Sequence, residues 1–215
     1  PSDLDLNPSR LPRKNVKELA GKPLIGWSID VSLASTFVDR TLVTTDDPEV
    51  AAISKQYGAD VPFVRPSSLS SDKARTIDVV IHAINSLSAV DEHYDFVVLL
   101  QPTSPLRTAH DLDGSLNQLV EMKGDGVISV CECEHSPLWC NTLKEDLSMA
   151  HFLSDQCMNQ RSQDLKPYYR LNGAIYVVSV SKLNEMSEPS FFLKKNISAY
   201  VMPSERSIDI DSALD

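Results

Sequence analysis

The sequence predicts an α/β fold built on a mostly parallel, doubly wound sheet, with all 215 residues in a single domain over 1–215. Two observations support this prediction. Short apolar and β-branched runs alternate with stretches of helical spacing, which is the pattern of βαβ units. In addition, 42% of the residues are hydrophobic and 23% are charged, as in an ordinary globular domain.

The first half of the chain predicts two strands and two helices. Asp47 followed by Pro48 is typical of a helix N-cap with proline at the first helical position. Apolar residues at i, i+3, i+4 and i+7 spacing predict the second helix. The elements are strands over residues 41–45 and 60–64 and helices over residues 48–57 and 78–87.

The second half continues the alternation and then breaks it. The apolar run at 96–100 is typical of a strand buried on both faces. A helix over 108–122 and strands over 126–131, 174–179 and 198–202 complete the predicted core. Residues 132–169 show little periodicity and are too few to form their own core, so we expect an insertion that packs against a partner subunit.

Charge limits the partners that the protein can have. Thirty acidic residues against twenty basic ones give a net charge of −10, which disfavours binding to nucleic acid or to an anionic membrane. The sequence has no apolar run approaching the roughly 18 residues of a membrane span, and its first residues lack signal-peptide features. We therefore expect a cytoplasmic protein.

Two widespread catalytic motifs are absent from the sequence. Gly21 and Gly26 have the spacing of a P-loop, but Trp-Ser follows where Lys-Ser/Thr is required. No Gly-x-Ser-x-Gly string occurs, which argues against a serine hydrolase of the α/β type.

The cysteines allow two interpretations. Cys131, Cys133, Cys140 and Cys157 cluster with His135, so a zinc site is one alternative. Cys131 and Cys133 are two residues apart rather than in a Cys-x2–4-Cys knuckle, and on a strand they would share a face. This spacing favours small buried hydrophobic side chains.

Polar residues follow the buried strand at 96–100. The prolines of Gln101-Pro-Thr-Ser-Pro-Leu-Arg107 favour a rigid turn that presents Gln101, Thr103, Ser104 and Arg107 at the carboxyl end of the sheet, where α/β proteins bind ligands. The alternative is an ordinary loop that caps the next helix.

Basic residues in this acidic chain suggest an anion site. They concentrate at residues 10–15 and recur in predicted loops, at Arg65, Lys73, Arg75, Arg161 and Arg170. Gathered arginines and lysines favour a phosphate or carboxylate ligand, and a solvated surface is the alternative for each of them.

Two carboxylates near the end of the sequence form a candidate metal site. If Ser207-Ile-Asp-Ile-Asp211 is extended, Asp209 and Asp211 share one face while Ile208 and Ile210 are buried on the other. Paired carboxylates beside a sheet edge can hold Mg²⁺, which prefers oxygen ligands.

Several strings together resemble the acylneuraminate cytidylyltransferases (CMP-sialic acid synthetases). The resemblance covers essentially the whole sequence from Leu11 to Asp215. The strings are Leu11-Pro-Arg-Lys-Asn15, Leu19-Ala-Gly-Lys-Pro-Leu24, Thr44-Thr-Asp-Asp47, Arg65-Pro66, Leu99-Leu-Gln-Pro-Thr-Ser-Pro-Leu-Arg107, Glu134-His-Ser-Pro137, Tyr169-Arg-Leu-Asn-Gly-Ala-Ile-Tyr176 and Ser207-Ile-Asp-Ile-Asp211.

The resemblance implies a Rossmann-like nucleotidyltransferase that moves CMP from CTP to the anomeric hydroxyl of a nine-carbon 2-keto sugar acid and releases pyrophosphate. It also implies Mg²⁺ as cofactor and a homodimer in which residues 132–169 are the dimerisation segment and supply a basic residue to the neighbouring subunit's sugar site. An eight-carbon acid is a further alternative for the substrate.

The resemblance assigns roles to individual residues. Catalytic roles fall on Lys14, Asp209 and Asp211, with the two aspartates as metal ligands. The positions that match the nucleotide site are Arg10, Lys14, Asn15, Arg65 and Thr76. The positions that match the sugar site are Gln101, Thr103, Ser104, Arg161, Arg170, Asn172 and Tyr176.

The chain departs from the family pattern in two places. The family's first apolar strand and glycine-containing phosphate loop correspond here to residues 1–10, which contain no glycine. The arginine expected two residues before Asp164 is Ser162, with Arg161 beside it. The first departure leaves a second function open: a catalytically weak dimeric homologue that binds nucleotide or sugar acid.

Overall fold

A computed structural model describes residues 11–71, 73–154, 161, 164–212 and 215. Arg10, Cys157 and Ser162 lie outside the described residues. Within these ranges the helices are α1 (Leu24–Leu33), α2 (Pro48–Gln56), α3 (Thr76–Ser88), α4 (Ala109–Glu121) and α5 (Val180–Glu185). The strands are β1 (Glu18–Leu19), β2 (Lys22–Pro23), β3 (Phe96–Leu100), β4 (Gly126–Glu132), β5 (Tyr169–Ser179) and β6 (Ile197–Val201).

The central sheet has the order β3-β5-β4-β6. β5 is antiparallel to both β3 and β4, whereas β4 and β6 are parallel. Three of these four strands therefore run in one direction, and the mixed α/β class is confirmed. The described residues between β4 and β5 contain no α-helix, and an antiparallel neighbour, unlike a parallel one, needs no crossover connection.

Helices cover both faces of the sheet. Leu112, Leu116 and Leu119 of α4 pack on one face against Val127 and Val177, together with Val31 of α1. On the other face, α3 and α5 pack against β4 and β5 through Ile77, Val80, Leu183, Ile128 and Val178. β3 contributes alternate side chains to the two faces, but it lies at one end of the sheet order, so four of its residues are half-buried and Phe96 is exposed, short of the predicted full burial.

The predicted helices over 48–57, 78–87 and 108–122 are confirmed as α2, α3 and α4 to within two residues at each end. The Asp47 carboxylate accepts a hydrogen bond from the Glu49 backbone N–H at 2.8 Å, so it is the predicted N-cap. Among the described residues, none of the helices combines the length and apolar character needed to cross a bilayer.

The predicted strands over 41–45 and 60–64 are wrong as strands. Residues 42 and 60 form an isolated parallel bridge, in which Val43 N–H donates to Asp60 O at 2.8 Å and Asp60 N–H to Thr41 O at 2.9 Å. Pro62 has no backbone N–H, so the ladder cannot continue past it on that edge. In the predicted insertion, residues 133–154 contain one regular element, a 3-10 turn at Pro137–Trp139.

Candidate functional site

The loop that follows β3 anchors the segment that carries the two aspartates. Ser104 N–H donates to Gln101 O at 3.3 Å, which closes the loop on itself, and Thr108 then caps α4. Thr103 is 7% exposed, and its carbonyl accepts a hydrogen bond from Ile210 N–H at 2.8 Å. The 101–107 loop and the 207–211 segment are therefore joined at the carboxyl end of β3.

A third segment, residues 11–16, reaches the same place. Leu11 N–H donates to Asp211 O at 3.1 Å. The Lys14 Nζ donates to Asp211 Oδ1 at 2.7 Å and to Ile210 O at 3.4 Å. Lys14 and Asp211, almost two hundred residues apart in the sequence, thus form an ion pair at the mouth of the site.

Asp209 has a carboxylate oxygen that no described residue satisfies. Its Oδ1 is buried and accepts no hydrogen bond from the described part of the chain. A buried carboxylate oxygen without a donor is costly unless a cation or a water occupies its free lone pairs. Burial and the nearby Asp209 charge both raise the pKa of Tyr176, in that order of size.

These residues fit Mg²⁺ better than zinc. Among the described residues, His, Cys, Asp and Glu side chains form no group of three or more that could hold a metal ion. Mg²⁺ commonly uses one or two carboxylates and completes its shell with water and substrate phosphates, so Asp209 and Asp211 suffice for it. Structural zinc needs four protein ligands. Of the cysteines, Cys131 is buried as expected for a small hydrophobic side chain, Cys133 is half-buried and Cys140 is exposed.

The segment around the aspartates is less regular than expected. Ile210 is 8% exposed, in agreement with the prediction, whereas Ile208 is 42% exposed. The preceding residues form a 3-10 turn at Ser204–Arg206, and no strand follows it in residues 207–212. Because the segment does not pair as a strand, the isoleucines do not share one buried face: Ile210 packs inward and Ile208 does not.

A cleft of about 1120 Å³ lies between residues 41–45 and β3. Eight of the predicted site residues line it. They are Lys14, Asn15, Arg65, Thr76, Gln101, Thr103, Asp209 and Asp211. The residues assigned to the nucleotide, the metal and the sugar-side loop therefore share one cleft, while Arg10 lies outside the described residues.

The basic side chains of the cleft are held by nearby acceptors. The Arg65 guanidinium donates to the carbonyl of Thr44 and, at 3.3 Å, to its Oγ1. Burial lowers the pKa of Arg65, and the charge of Asp46 acts in the opposite direction. Arg13, which is not among the predicted site residues, donates to Asp47 Oδ2 at 3.0 Å and to the Glu49 carboxylate.

Two predicted sugar-binding residues are buried within the protein. Ser104 is fully buried, and Asn172 is 2% exposed. The Asn172 Oδ1 accepts from Ser129 Oγ at 2.6 Å, and its Nδ2 donates to Ser207 Oγ at 2.9 Å. We therefore revise the interpretation of Asn172: it supports the backbone irregularity of β5 at Gly173, where φ is +73°, rather than facing a ligand.

The remaining predicted sugar-binding residues do not line the cleft. Arg161 and Arg170 are exposed on the surface, with one Arg170 Nη1 contact to Leu171 O at 3.5 Å. Tyr176 is half-buried and packs against Phe191, with 5.3 Å between the ring centroids. The structure thus places Tyr176 near Asp209 but does not bring the two arginines to the cleft.

Arg107 points inward instead of lying at the sheet edge. The proline-rich loop predicted that Arg107 would be presented with Gln101, Thr103 and Ser104, but its side chain is 2% exposed. Its guanidinium donates to Ala174 O at 2.7 Å and to Ser28 Oγ at 2.6 Å. The missed signal is its position immediately before the helix cap Thr108, where the chain turns back towards the core.

Curated relatives match almost the whole chain. A CMP-N,N'-diacetyllegionaminic acid synthase of Legionella pneumophila is 32% identical over 212 residues, which cover 96% of this chain and 87% of the relative. A pseudaminic acid cytidylyltransferase of Campylobacter jejuni is 32% identical with the same coverage. An N-acylneuraminate cytidylyltransferase of Escherichia coli is 32% identical over 95% of this chain and 47% of its own length.

Solved structures show the same fold at low sequence identity. A CMP:2-keto-3-deoxy-manno-octonic acid synthetase complexed with CTP superposes with a TM-score of 0.67 at 16% identity, over 96% of this chain and 89% of that one. A 4-diphosphocytidyl-2C-methyl-D-erythritol synthase of Anaerococcus prevotii gives 0.59 at 14% identity, over 92% of this chain and 84% of its own. The family model described as cytidylyltransferase matches residues 6–188. The chain therefore belongs to the cytidylyltransferase family of CTP-dependent nucleotidyltransferases.

Proposed function

We propose that this cytidylyltransferase transfers CMP from CTP to the anomeric hydroxyl of a nine-carbon 2-keto sugar acid, with pyrophosphate as the leaving group. One observation carries the proposal: Lys14, Asp209 and Asp211 meet in a cleft beside the 101–107 loop. Relatives whose names state legionaminic, pseudaminic or N-acylneuraminic acid support this class of acceptor.

The nucleotide would occupy the part of the cleft nearest residues 11–16 and 41–45. Lys14 and Arg65 supply positive charge there, and Asn15 and Thr76 supply polar groups. Arg65 already donates to the Thr44 carbonyl, so its planar group is held before any ligand arrives. The family resemblance also assigns Arg10 to the nucleotide site, where it would add a further positive charge; Arg10 lies outside the described residues.

Asp209 and Asp211 would be the protein ligands of a Mg²⁺ ion. The ion would neutralise charge on the phosphate oxygens, which is the principal requirement of phosphoryl-type transfer. Lys14 pairs with Asp211 and so orients that carboxylate, and its ammonium can also contact a phosphate oxygen. The buried Oδ1 of Asp209 supports this role because it has no other described partner.

The acid would approach from the side of Gln101 and Tyr176. The Gln101 amide oxygen lies 3.1 Å from the point where a side-chain carbon on Gly173 would be, so Gln101 extends over β5. Asp209 Oδ2 lies 3.8 Å from the same point. From the resemblance, we propose Arg170 as the arginine that would grip the sugar carboxylate through two parallel hydrogen bonds, for which its exposed side chain would have to turn towards the cleft.

We further propose a homodimer built on residues 132–169. Large apolar side chains are exposed along this segment: Leu143 at 58%, Leu147 at 71% and Met149 at 61%. A run of exposed apolar residues with almost no regular structure gains stability by packing on another surface. In this arrangement Arg161 would reach the sugar site of the neighbouring subunit.

A pyrophosphate-release assay tests the proposal. It crosses the four nucleoside triphosphates with N-acetylneuraminic, legionaminic and pseudaminic acids and an eight-carbon 2-keto acid, at saturating Mg²⁺. We expect release only with CTP, and only with a nine-carbon acid. Preference for the eight-carbon acid would contradict the substrate class, and thermal stabilisation by CTP without any release would support the weak, binding homologue.

A further inference from the structure

The most unusual charged group outside the cleft is the guanidinium of Arg107. It is 2% exposed, and its described hydrogen-bond acceptors are two carbonyls and one hydroxyl. Its Nε has no partner among the described residues. The charge of Asp111 offsets part of the cost of burying this cation, but no described carboxylate accepts a hydrogen bond from it. A buried cation without a hydrogen-bonded carboxylate is costly, so its presence calls for another role.

The Arg107 guanidinium joins β3 and β5 at the residue pair just beyond their last backbone pairing. The last pair between β3 and β5 is Leu100 with Ile175. The next residues are Gln101 and Ala174, and Arg107 Nη1 donates to both of their carbonyls, at 3.4 Å and 2.7 Å. One side chain thus joins the two strand ends where the backbone ladder stops.

The same group also ties these strand ends to α1. Arg107 Nη2 donates to Ser28 Oγ at 2.6 Å, and this hydroxyl donates in turn to Gln101 O at 3.2 Å. Together with the Ser104 N–H, Arg107 and Ser28 give the Gln101 carbonyl three hydrogen-bond donors. Because Gly173 precedes Ala174 and lies under the Gln101 side chain, the position of Gln101 over Gly173 depends on this connection.

We propose that Arg107 is a positioning residue that fixes Gln101 and the Gly173–Ala174 backbone, and through them the acid side of the cleft. The inference rests on the proposed function, in which Gln101 contacts the sugar acid. Burial lowers the pKa of Arg107 to about 10, so the guanidinium remains charged at neutral pH and keeps all its donors.

Arg107→Lys is the principal test variant. Lysine keeps the charge, but its single ammonium cannot span two carbonyls and a hydroxyl as the planar group does. We expect the KM for the sugar acid to rise about tenfold or more, while the KM for CTP changes less than about threefold, because misplacing one contact group by a fraction of an ångström is enough for such losses. Ser28→Ala removes one hydroxyl from the same connection and should shift the acid KM in the same direction by a smaller factor.

Leu183→Ala is the matched control. Leu183 is 2% exposed and packs on β5 at the opposite end of the sheet, so the variant loses stability without touching Gln101. Its KM values should remain those of the wild type. Equal rises in both KM values for Arg107→Lys and Ser28→Ala, or unchanged KM values with lower stability alone, would overturn the positioning role.

A second measurement separates this inference from the proposed function. Hydrogen exchange of peptides covering residues 100–107 and 172–176, followed by mass spectrometry, needs no substrate. We expect faster exchange in both peptides for Arg107→Lys than for Leu183→Ala. If no acid supports pyrophosphate release but this difference is found, the proposed substrate is wrong and the connection stands; without the difference, the connection itself is refuted.

Discussion

The carboxylate of Asp111 gives the sharpest test of how the aspartate segment is held. It is 1% exposed, and Arg206 Nε and Nη2 each donate to it at 2.9 Å. Thr108 adds a backbone N–H at 3.0 Å and a hydroxyl at 2.7 Å. Arg206 directly precedes the 207–211 segment, so this pair fastens that segment to the start of α4. The change is Asp111→Asn, which keeps the shape and removes the charge.

The cost of the change follows from these contacts. Removing one partner of a fully buried pair costs about 3–5 kcal/mol. The Arg206 side chain is 32% exposed, so water recovers part of its solvation. We therefore expect the free energy of unfolding at pH 7 to fall by about 2–3 kcal/mol. In a chain of this length, that corresponds to a drop in Tm of about 4–12 °C.

The effect should depend on pH in a defined direction. Desolvation raises the pKa of Asp111, but the hydrogen bonds from Arg206 and Thr108 outweigh it, and the net pKa is lowered. The stabilisation is therefore fully present above the unfolded-state pKa of about 3.9 and is lost as the pH falls through the lower folded-state value. The stability gap between wild type and variant should close at acid pH.

Urea unfolding at a series of pH values measures this gap. The double variant Asp111→Asn/Arg206→Met should lose less than the sum of the single variants, because the two side chains act as a pair. Glu185→Gln, which breaks an exposed ion pair with Lys182, is the matched control and should leave the unfolding midpoint unchanged. A gap of equal size at pH 7 and pH 3, or no gap at pH 7, would refute the reasoning.

Four further outcomes follow from the site. Asp211→Asn should abolish pyrophosphate release without unfolding the protein, and full activity at saturating Mg²⁺ would contradict its role as a metal ligand. Arg170→Lys should raise the KM for the acid and spare that for CTP; equal effects on the two would exclude a carboxylate grip. Leu147→Glu should convert dimers to monomers in light scattering, whereas Val90→Glu, at an exposed residue outside the insertion, should not. Gly173→Ala should lower stability by about 1–2 kcal/mol because φ is +73°, and an unchanged Tm would show that the backbone relaxes.

The sequence predicted the elements whose local chemistry agrees with the fold. Asp47-Pro48 and Thr108 cap their helices as expected, and the apolar run of β3 packs on both faces of the sheet, although its residues are half-buried and Phe96 is exposed. α1 was missed because apolar residues occur around most of its circumference, and such a helix shows little periodicity. The predicted strands at 41–45 and 60–64 form a single bridge instead of a ladder, because β-branched composition does not supply the pairing partner that a strand needs.

Some residues of the candidate site could be predicted from the sequence and others could not. Spacing and residue type suggested a shared role for Asp209 and Asp211, the family resemblance added Lys14, and the structure brings Lys14 to Asp211. The sequence could not show that Asn172 turns inward, because its burial depends on contacts with Ser129 and Ser207 from distant segments. For Arg107 the position before the Thr108 cap is a signal, but it does not identify the acceptor Ser28, which lies in a distant segment. A polar residue in a motif can serve either the ligand or the backbone that presents the ligand-binding groups, and only the packed structure distinguishes them.

The reversed strand β5 also determines when the sheet can form during synthesis. It lies between β3 and β4, yet Val178 follows its partner Val97 by roughly eighty residues, and the whole insertion is made before it. Until β5 leaves the ribosome, β3 and β4 each present an unpaired apolar edge, and such edges are prone to pair with other chains. Because these edges are exposed, the yield of soluble protein should depend on chaperones that bind extended apolar segments. A reduced translation rate would lengthen the exposure and should increase this dependence.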